Sequence, residues 1–374
     1  MISIIYVGMD VHTTNYTLCC YSMEDDRFFA EVQVEPDAKN ILKYLARIEK
    51  QQSRDCRIVC GYEAGCLGYS LYHQLHAHGI DCVILAPTTM MTKPGKRIKT
   101  DRRDARLISK CLAFHTYSPV YIPTEVDDAV KEYIRMRDDA NSALARVKQQ
   151  IIAFCIRHGK IHDGKSYWTN KHLEWLSSLD LGNKILSEVL QEYLIRYYQL
   201  REQVDMYDMR INELAQAEPY RQKVEKLGCF RGIAAHTALS FCVEVGDFRR
   251  FATAQQFASY LGLVPGECSS GDKQQYTGIT KAGNSHLRKL LVETAQVFGR
   301  SATKSGKSVA LKERQAKCDS LTVAYADKAN ARLKKKYFKI AMRSKVNIAK
   351  TAVAREMACF IWGMMTDNIE RKAA

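Results

Sequence analysis

The sequence predicts an α/β amino-terminal domain built on a mixed sheet, then a long antiparallel helical hairpin, then a mostly helical carboxy-terminal domain. Three patterns carry that prediction. Short β-rich apolar runs alternate with amphipathic helical stretches over residues 1–120. Apolar residues recur twice in a 4–3 rhythm between residues 121 and 222, the spacing that buries one seam between two helices. From residue 223 to 374, short helical segments are separated by glycine turns.

The first domain begins with "SIIYVGM" (3–9), an apolar strand ending at Asp10. "YTLCCYS" and "FFAEVQVE" follow at hairpin distances and complete an antiparallel meander. Pro36 and Asp37 open a helix with Ile41, Leu45 and Ile48 on one face. "RIVCGYE" reads as a buried strand ending at Glu63, followed by a helix over Leu67–His78 and a strand "CVILA" (82–86). A basic loop and a helix containing Asp101 and Asp104 complete the domain.

The heptad runs come next. Val126, Val130, Tyr133, Ala140, Leu144, Val147, Ile151 and Phe154 form the first, with Arg137 filling the one missing place. Leu186, Leu190, Tyr193, Tyr197, Leu200, Val204, Tyr207, Ile211 and Leu214 form the second. A loop over 157–183 joins them, and the arm reads as an oligomerisation element. Trp168 and Trp175 in that loop either stack on nucleic-acid bases or pack within the tip. In the third domain, glycines at 228, 232, 246 and 262 punctuate short helices, and a polar glycine-rich loop leads into a basic helix. Two helices, near 320–342 and 345–366, end the chain.

With 46% hydrophobic residues among 374, the chain is a folded one with room for two or three domains. Its net charge of +15 points to a polyanionic partner, and the charge is clustered: Lys93–Arg106 holds seven basic residues and Ala331–Lys350 holds eight. Thirteen scattered cysteines without a CxxC pair predict reduced, mostly buried thiols. The opening "MISIIYVGMD" is too short for a signal peptide, and no apolar run approaches membrane-spanning length, so a cytoplasmic protein is expected.

"KTDRRDARL" (99–107) poses the chemical question, because Asp101 and Asp104 stand one helical turn apart among basic residues. Taken alone, the stretch reads as a solvated helix with local ion pairs. In a ribonuclease H-like sheet, however, the first and fourth strands are neighbours, which brings Asp10 and Glu63 to one edge with the later helix packed at the same end. Four carboxylates, Asp10, Glu63, Asp101 and Asp104, would repel one another unless cations sat between them. Such an oxygen-rich set suits Mg²⁺ or Mn²⁺. Phosphoryl transfer is the chemistry a site of this kind supports, and the neighbouring basic residues would grip phosphates.

"GMDVHTTNYTLCC", "YEAG" and "KTDRRDARLI", in that order, resemble the amino-terminal domain of the DEDD insertion-sequence transposases, the bridge-RNA-guided recombinases with a RuvC-like nuclease fold. "FATAQQFASYLGLVP" followed by "SSGDKQQYTGITKAGNSHLRKLL" resembles their transposase domain. The resemblance covers nearly the whole chain. It implies a RuvC-like DEDD domain (1–120), a coiled-coil hairpin (121–222) and a transposase domain (223–374). It implies that Asp10, Glu63, Asp101 and Asp104 are the metal-binding quartet and that Ser270 is the nucleophile. Read by residue type alone, Ser270 is a turn residue in an "SSG" loop, and Ser269 is its competitor. The resemblance further implies donor and target DNA and a guide RNA as partners, assembly into a dimer or tetramer, and work at a bacterial nucleoid. Lys96, Arg97, Lys99, Arg102 and Arg103 around the quartet, and Lys273, Lys281, Arg288 and Lys289 around Ser270, are the expected phosphate contacts. Gly278 and Gly283 would admit a close backbone approach.

Other readings are a structure-selective nuclease that uses metal-activated water, and a nucleic-acid-binding protein without catalysis, which leaves the quartet unexplained. A tyrosine recombinase fits poorly, because "HLRKL" (286–290) puts arginine two places from His286 and not three.

Overall fold

Alternation along β1 (Ser3–Val11) sends Ile5, Val7 and Met9 to one face of the sheet and Tyr6, Gly8 and Asp10 to the other. In the computed structural model, which describes residues 3–52, 56–90, 100–267, 275–300 and 306–369, the chain divides into two units, Met1–Ile122 and Pro123–Ala374.

In the first unit β1 is joined by β2 (Tyr16–Ser22), β3 (Arg27–Val34), β4 (Cys56–Glu63) and β5 (Asp81–Leu85). The sheet order is β3-β2-β1-β4-β5. β1 is antiparallel to β2 and parallel to β4, and β5 is parallel to β4. Helix α1 (Ala38–Gln51) is capped by Asp37, whose side chain accepts from the Lys39 N–H at 2.8 Å. Its Ile41, Leu45 and Ile48, with Leu71 and Leu75 of α2 (Ser70–Ala77), cover the Ile5–Val7–Met9 face. The α2 helix is shorter than the pattern over 67–78 suggests, because Gly68 takes a left-handed φ of 57° and the helix starts only at Ser70. Helix α3 (Asp101–Ala113) lies on the opposite face, where Ile108, Cys111 and Leu112 pack with Tyr6, Tyr21 and Leu85.

The second unit opens with α4 (Glu125–Arg157), followed by α5 (Asn170–Ser177) and α6 (Lys184–Gln216). The two long helices run antiparallel: Tyr133 meets Tyr207 and Phe154 meets Tyr193, with ring centroids 5.8 and 6.0 Å apart. Leu144, Val147, Ile151, Leu190, Tyr197 and Val204 bury one shared seam. The connection expected as a plain loop contains α5. Thr169 caps that helix, and Leu173 and Leu176 bury into the hairpin core. Trp168 lies tilted against Tyr197 with centroids 5.0 Å apart and Trp175 tilted against His162 at the same distance, so both tryptophans pack within the tip.

Beyond the hairpin come α7 (Arg221–Gly228), α8 (Ala235–Val245), α9 (Ala254–Tyr260), α10 (Ser285–Ala295), α11 (Val309–Gln315), α12 (Ser320–Ala341) and α13 (Val346–Met365). Phe230, Phe241, Phe257, Leu291, Met357 and Ile361 lie in their common core. A small antiparallel ladder of β6 (Pro265–Glu267) and β7 (Tyr276–Ile279), which the helical pattern does not announce, sits between α9 and α10 in the chain. At φ 74°, Gly283 stands where a Cβ would be 2.1 Å from the Tyr260 carbonyl oxygen. Gly283 thus packs closely against the backbone of α9, whereas a Cβ at Gly278 would meet open space.

Candidate metal centre

Asp10 is the penultimate residue of β1, and His12 opens the turn that follows the strand, its N–H donating to the Asn15 carbonyl at 3.0 Å. Asp101 reaches the same place from the first turn of α3, where it and Asp104 also suit the positive end of the helix dipole. One ligand atom from each of Asp10, His12 and Asp101 lies within 4.8 Å of the other two. The Asp10 Oδ2 atom is buried and has no hydrogen-bond partner. His12 Nε2 comes within 3.3 Å of it, off the axis of a hydrogen bond. Burial pushes the Asp10 carboxyl above its ordinary value; His12 opposes this, and the charges of Asp104 and Asp101 add to it. A buried, unpartnered carboxylate oxygen beside an imidazole and a second carboxylate is a donor set that fits a small divalent cation.

The four carboxylates expected at one point are placed as follows. Asp10 and Asp101 are together, and Asp104 is close enough for its charge to act on Asp10. Glu63 ends β4, next to Tyr62, the ladder partner of Met9. It is exposed and outside the Asp10–His12–Asp101 group. His12 was not among the expected ligands; it lies just past the end of β1, two residues after Asp10.

Of the basic residues, Arg102 pairs with Glu31 at 3.3 Å, and Arg106 donates to the same carboxylate at 2.6 Å. Arg103 is exposed on the same helix. In the second unit, Arg288 turns inward, donating from Nη1 to the Leu261 and Ala282 carbonyls at 2.9 and 3.2 Å. Lys289 lies 4.0 Å from Glu293, and Lys281 is exposed. Lys96, Arg97, Lys99, Ser269, Ser270 and Lys273 lie outside the described residues.

Residues 7–156 match the family described as Transposase (DEDD_Tnp_IS110), and residues 225–314 match the family described as Transposase IS116/IS110/IS902. A putative transposase of Sinorhizobium fredii (y4qE) is 36% identical over 304 residues, which cover 81% of this chain and 74% of the relative. The transposase for insertion sequence element IS1533 of Leptospira borgpetersenii is 32% identical over 340 residues, 89% of this chain and 95% of its own length. The chain belongs to the IS110 family of DEDD transposases. The transposase for insertion sequence element IS1111A of Coxiella burnetii is a more distant relative, 26% identical over 268 residues covering 68% of this chain and 71% of its own. No helix among the described residues of the transposase is long and apolar enough to cross a membrane.

The transposase has a second cluster of ionisable groups, inside its carboxy-terminal unit. His286 of α10 is held at both ring nitrogens, Nδ1 by Glu244 of α8 and Nε2 by Asp138 of α4 at 2.8 Å. Asn284, the cap of α10, donates to the other Glu244 oxygen at 2.6 Å. His236 Nε2 lies 2.9 Å from Asp138 Oδ1, off the axis of a hydrogen bond. Burial alone would lower the His286 imidazole, but the two carboxylates raise it to about 9. Burial would likewise raise the carboxyls of Asp138 and Glu244; the facing histidines hold both below the ordinary range. His286 is therefore an imidazolium bridging three helices. The sequence alone presents it as a lone histidine beside a basic helix.

Proposed function

We propose that this transposase cuts and rejoins the strands of its own insertion sequence through a phosphoserine intermediate at Ser270, with a divalent cation at the acidic centre and a structured RNA choosing donor and target. The unpartnered buried oxygen of Asp10 carries the metal part of this reading. The sheet order, with β1 beside β4 and α3 across them, supports a ribonuclease H-like, RuvC-like unit. Asp10, His12 and Asp101 would hold the cation, with Asp104 and Glu63 at its margin. A cation there supplies charge to stabilise a phosphoryl transition state and an attacking oxygen.

The chain's own groups do the remainder. Asp10 and Asp101 fix the position of that charge on a strand and a helix rather than on a loop. Exposed Arg103 flanks the phosphate path. A serine ester conserves the energy of the broken phosphodiester so that a new strand can be joined, whereas attack by water loses it. RNA guidance and Ser270 rest on the resemblance of the motifs, and the antiparallel hairpin supports association of chains. The test traps reactions of wild type, Ser270→Ala and Ser269→Ala on denaturing gels and maps any DNA–peptide adduct by mass spectrometry. An adduct at Ser270, absent from Ser270→Ala, is expected. Full cleavage by Ser270→Ala with no adduct in wild type would make this a water-using nuclease.

A further inference from the structure

The turn joining α12 to α13 presents apolar side chains to solvent inside a wholly positive stretch. Met342 is 84% exposed, Val346 49% and Ile348 54%. Between Ala331 and Lys350 there are eight lysines and arginines and no acid. Arg332 and Lys336 turn back onto Glu356 of α13, whereas Lys335, Lys339, Arg343 and Lys345 are exposed. The N-terminus of α13 has no side-chain cap and no acid in its first turn, so the positive end of its dipole adds to the same field.

Val346 stands on the same face of α13 as Ala349 and Val353, whereas Met342 and Ile348 are not a continuation of the core. The inner face of α13 is spent on Ala349, Val353, Ala354 and Met357, all buried. What remains is a short apolar crest with cations around it. A partner that complements it must be anionic at its margins and apolar between them. Duplex DNA has that form: two phosphate walls with a stack of bases as the floor between them. Opening one base step is unfavourable, and phosphate contacts on either side offset that cost. An anionic membrane offers similar charge, but binding there uses the length of an amphipathic helix with a free apolar face. That face of α13 is already occupied.

We propose that the α12–α13 turn is a DNA wedge: Met342, supported by Ile348, enters a base step while Lys339, Arg343 and Lys345 hold the flanking phosphates. The proposal rests on the transposase acting on DNA, and it requires neither the metal centre nor Ser270.

Relaxed circular plasmid is incubated with full-length protein in EDTA, treated with a metal-independent topoisomerase, and analysed for linking number. Wild type should lower the linking number in proportion to protein bound. Met342→Ser should bind within about two-fold of wild type and lose most of the unwinding. Lys339→Gln with Arg343→Gln should weaken binding and reduce the salt slope by about two. Asp101→Asn, dead in cleavage under the reading above, should unwind like wild type, so the two ideas fail separately. Bound DNA that is not unwound by wild type, or equal unwinding by Met342→Ser, overturns the wedge. So does a Met342→Ser variant whose only loss is binding to phosphatidylglycerol vesicles.

Discussion

A Cβ on Gly8 would stand 2.0 Å from the carbonyl oxygen of Ala105. The backbones of β1 and α3 therefore touch, two residues before Asp10 and one helical turn after Asp101. Gly61, the ladder partner of Gly8, widens this trough: a Cβ there would lie 2.8 Å from the side chains of Leu112 and Leu85. Two adjacent strands lack side chains where the helix crosses, and that sets the distance between the carboxylates.

Gly8→Ala should accordingly push α3 off the sheet and separate Asp101 from Asp10. A contact this short cannot be absorbed by a rotamer change, so a cost of about 2 kcal/mol or more is expected. Thermal unfolding with and without Mn²⁺ reads both effects. The variant should melt lower and gain little from the ion. A wild-type Mn²⁺ shift in Gly8→Ala would detach the centre from this packing.

Without metal, the acidic centre should be strained once Asp10 is ionised. The Asp10 carboxyl is raised, so the folded state holds its proton more tightly than the unfolded chain does. Stability should then fall as pH rises from the ordinary carboxylate value through the raised one, and Mn²⁺ should restore it. Asp10→Asn should remove this fall, raise the metal-free melting temperature and abolish strand cleavage. Asp101→Asn with wild-type cleavage would be decisive against the metal reading.

His286 makes the opposite prediction at alkaline pH. Its folded value of about 9 lies above the ordinary imidazole value. The stability it contributes is thus complete below about pH 6.5 and lost as pH rises through about 9, on the order of 3 kcal/mol in all. Urea unfolding of wild type and His286→Gln at pH 7 and pH 10 isolates this from other titrating groups. The difference between the two proteins should shrink at the higher pH; a constant difference would mean that His286 is not charged.

The hairpin separates folding from association. Val147 is buried in the seam between α4 and α6, so Val147→Asp should unfold the arm at a cost of about 3 kcal/mol. Met206 and Met209 of α6 are 52% and 67% exposed. Changing both to Glu should leave the melting temperature nearly unchanged. If this outer face holds chains together, the same change will lower the mass seen by light scattering. An unaltered mass would leave the arm as packing within one chain.

Much of this protein is legible in local pattern. Alternation over Ser3–Val11, the Asp37 cap and the doubled heptads each report which face an element buries, because that depends only on residues a few positions apart. The approximate places of Asp10, Glu63, Asp101 and Asp104 at element ends follow from the same patterns. Partners across elements do not. Arg137 looks like a flaw in the heptad until α6 brings Asp208 within 2.7 Å to receive its guanidinium. Glu63 ends the neighbouring strand, yet His12 rather than Glu63 completes the group around Asp10, since side-chain direction at a strand end depends on what packs over it. His286 and Asp138 are 148 positions apart in sequence and 2.8 Å apart in space. Periodicity carries no information at that separation, and only the packing of α4, α8 and α10 converts a lone histidine into a half-buried cation.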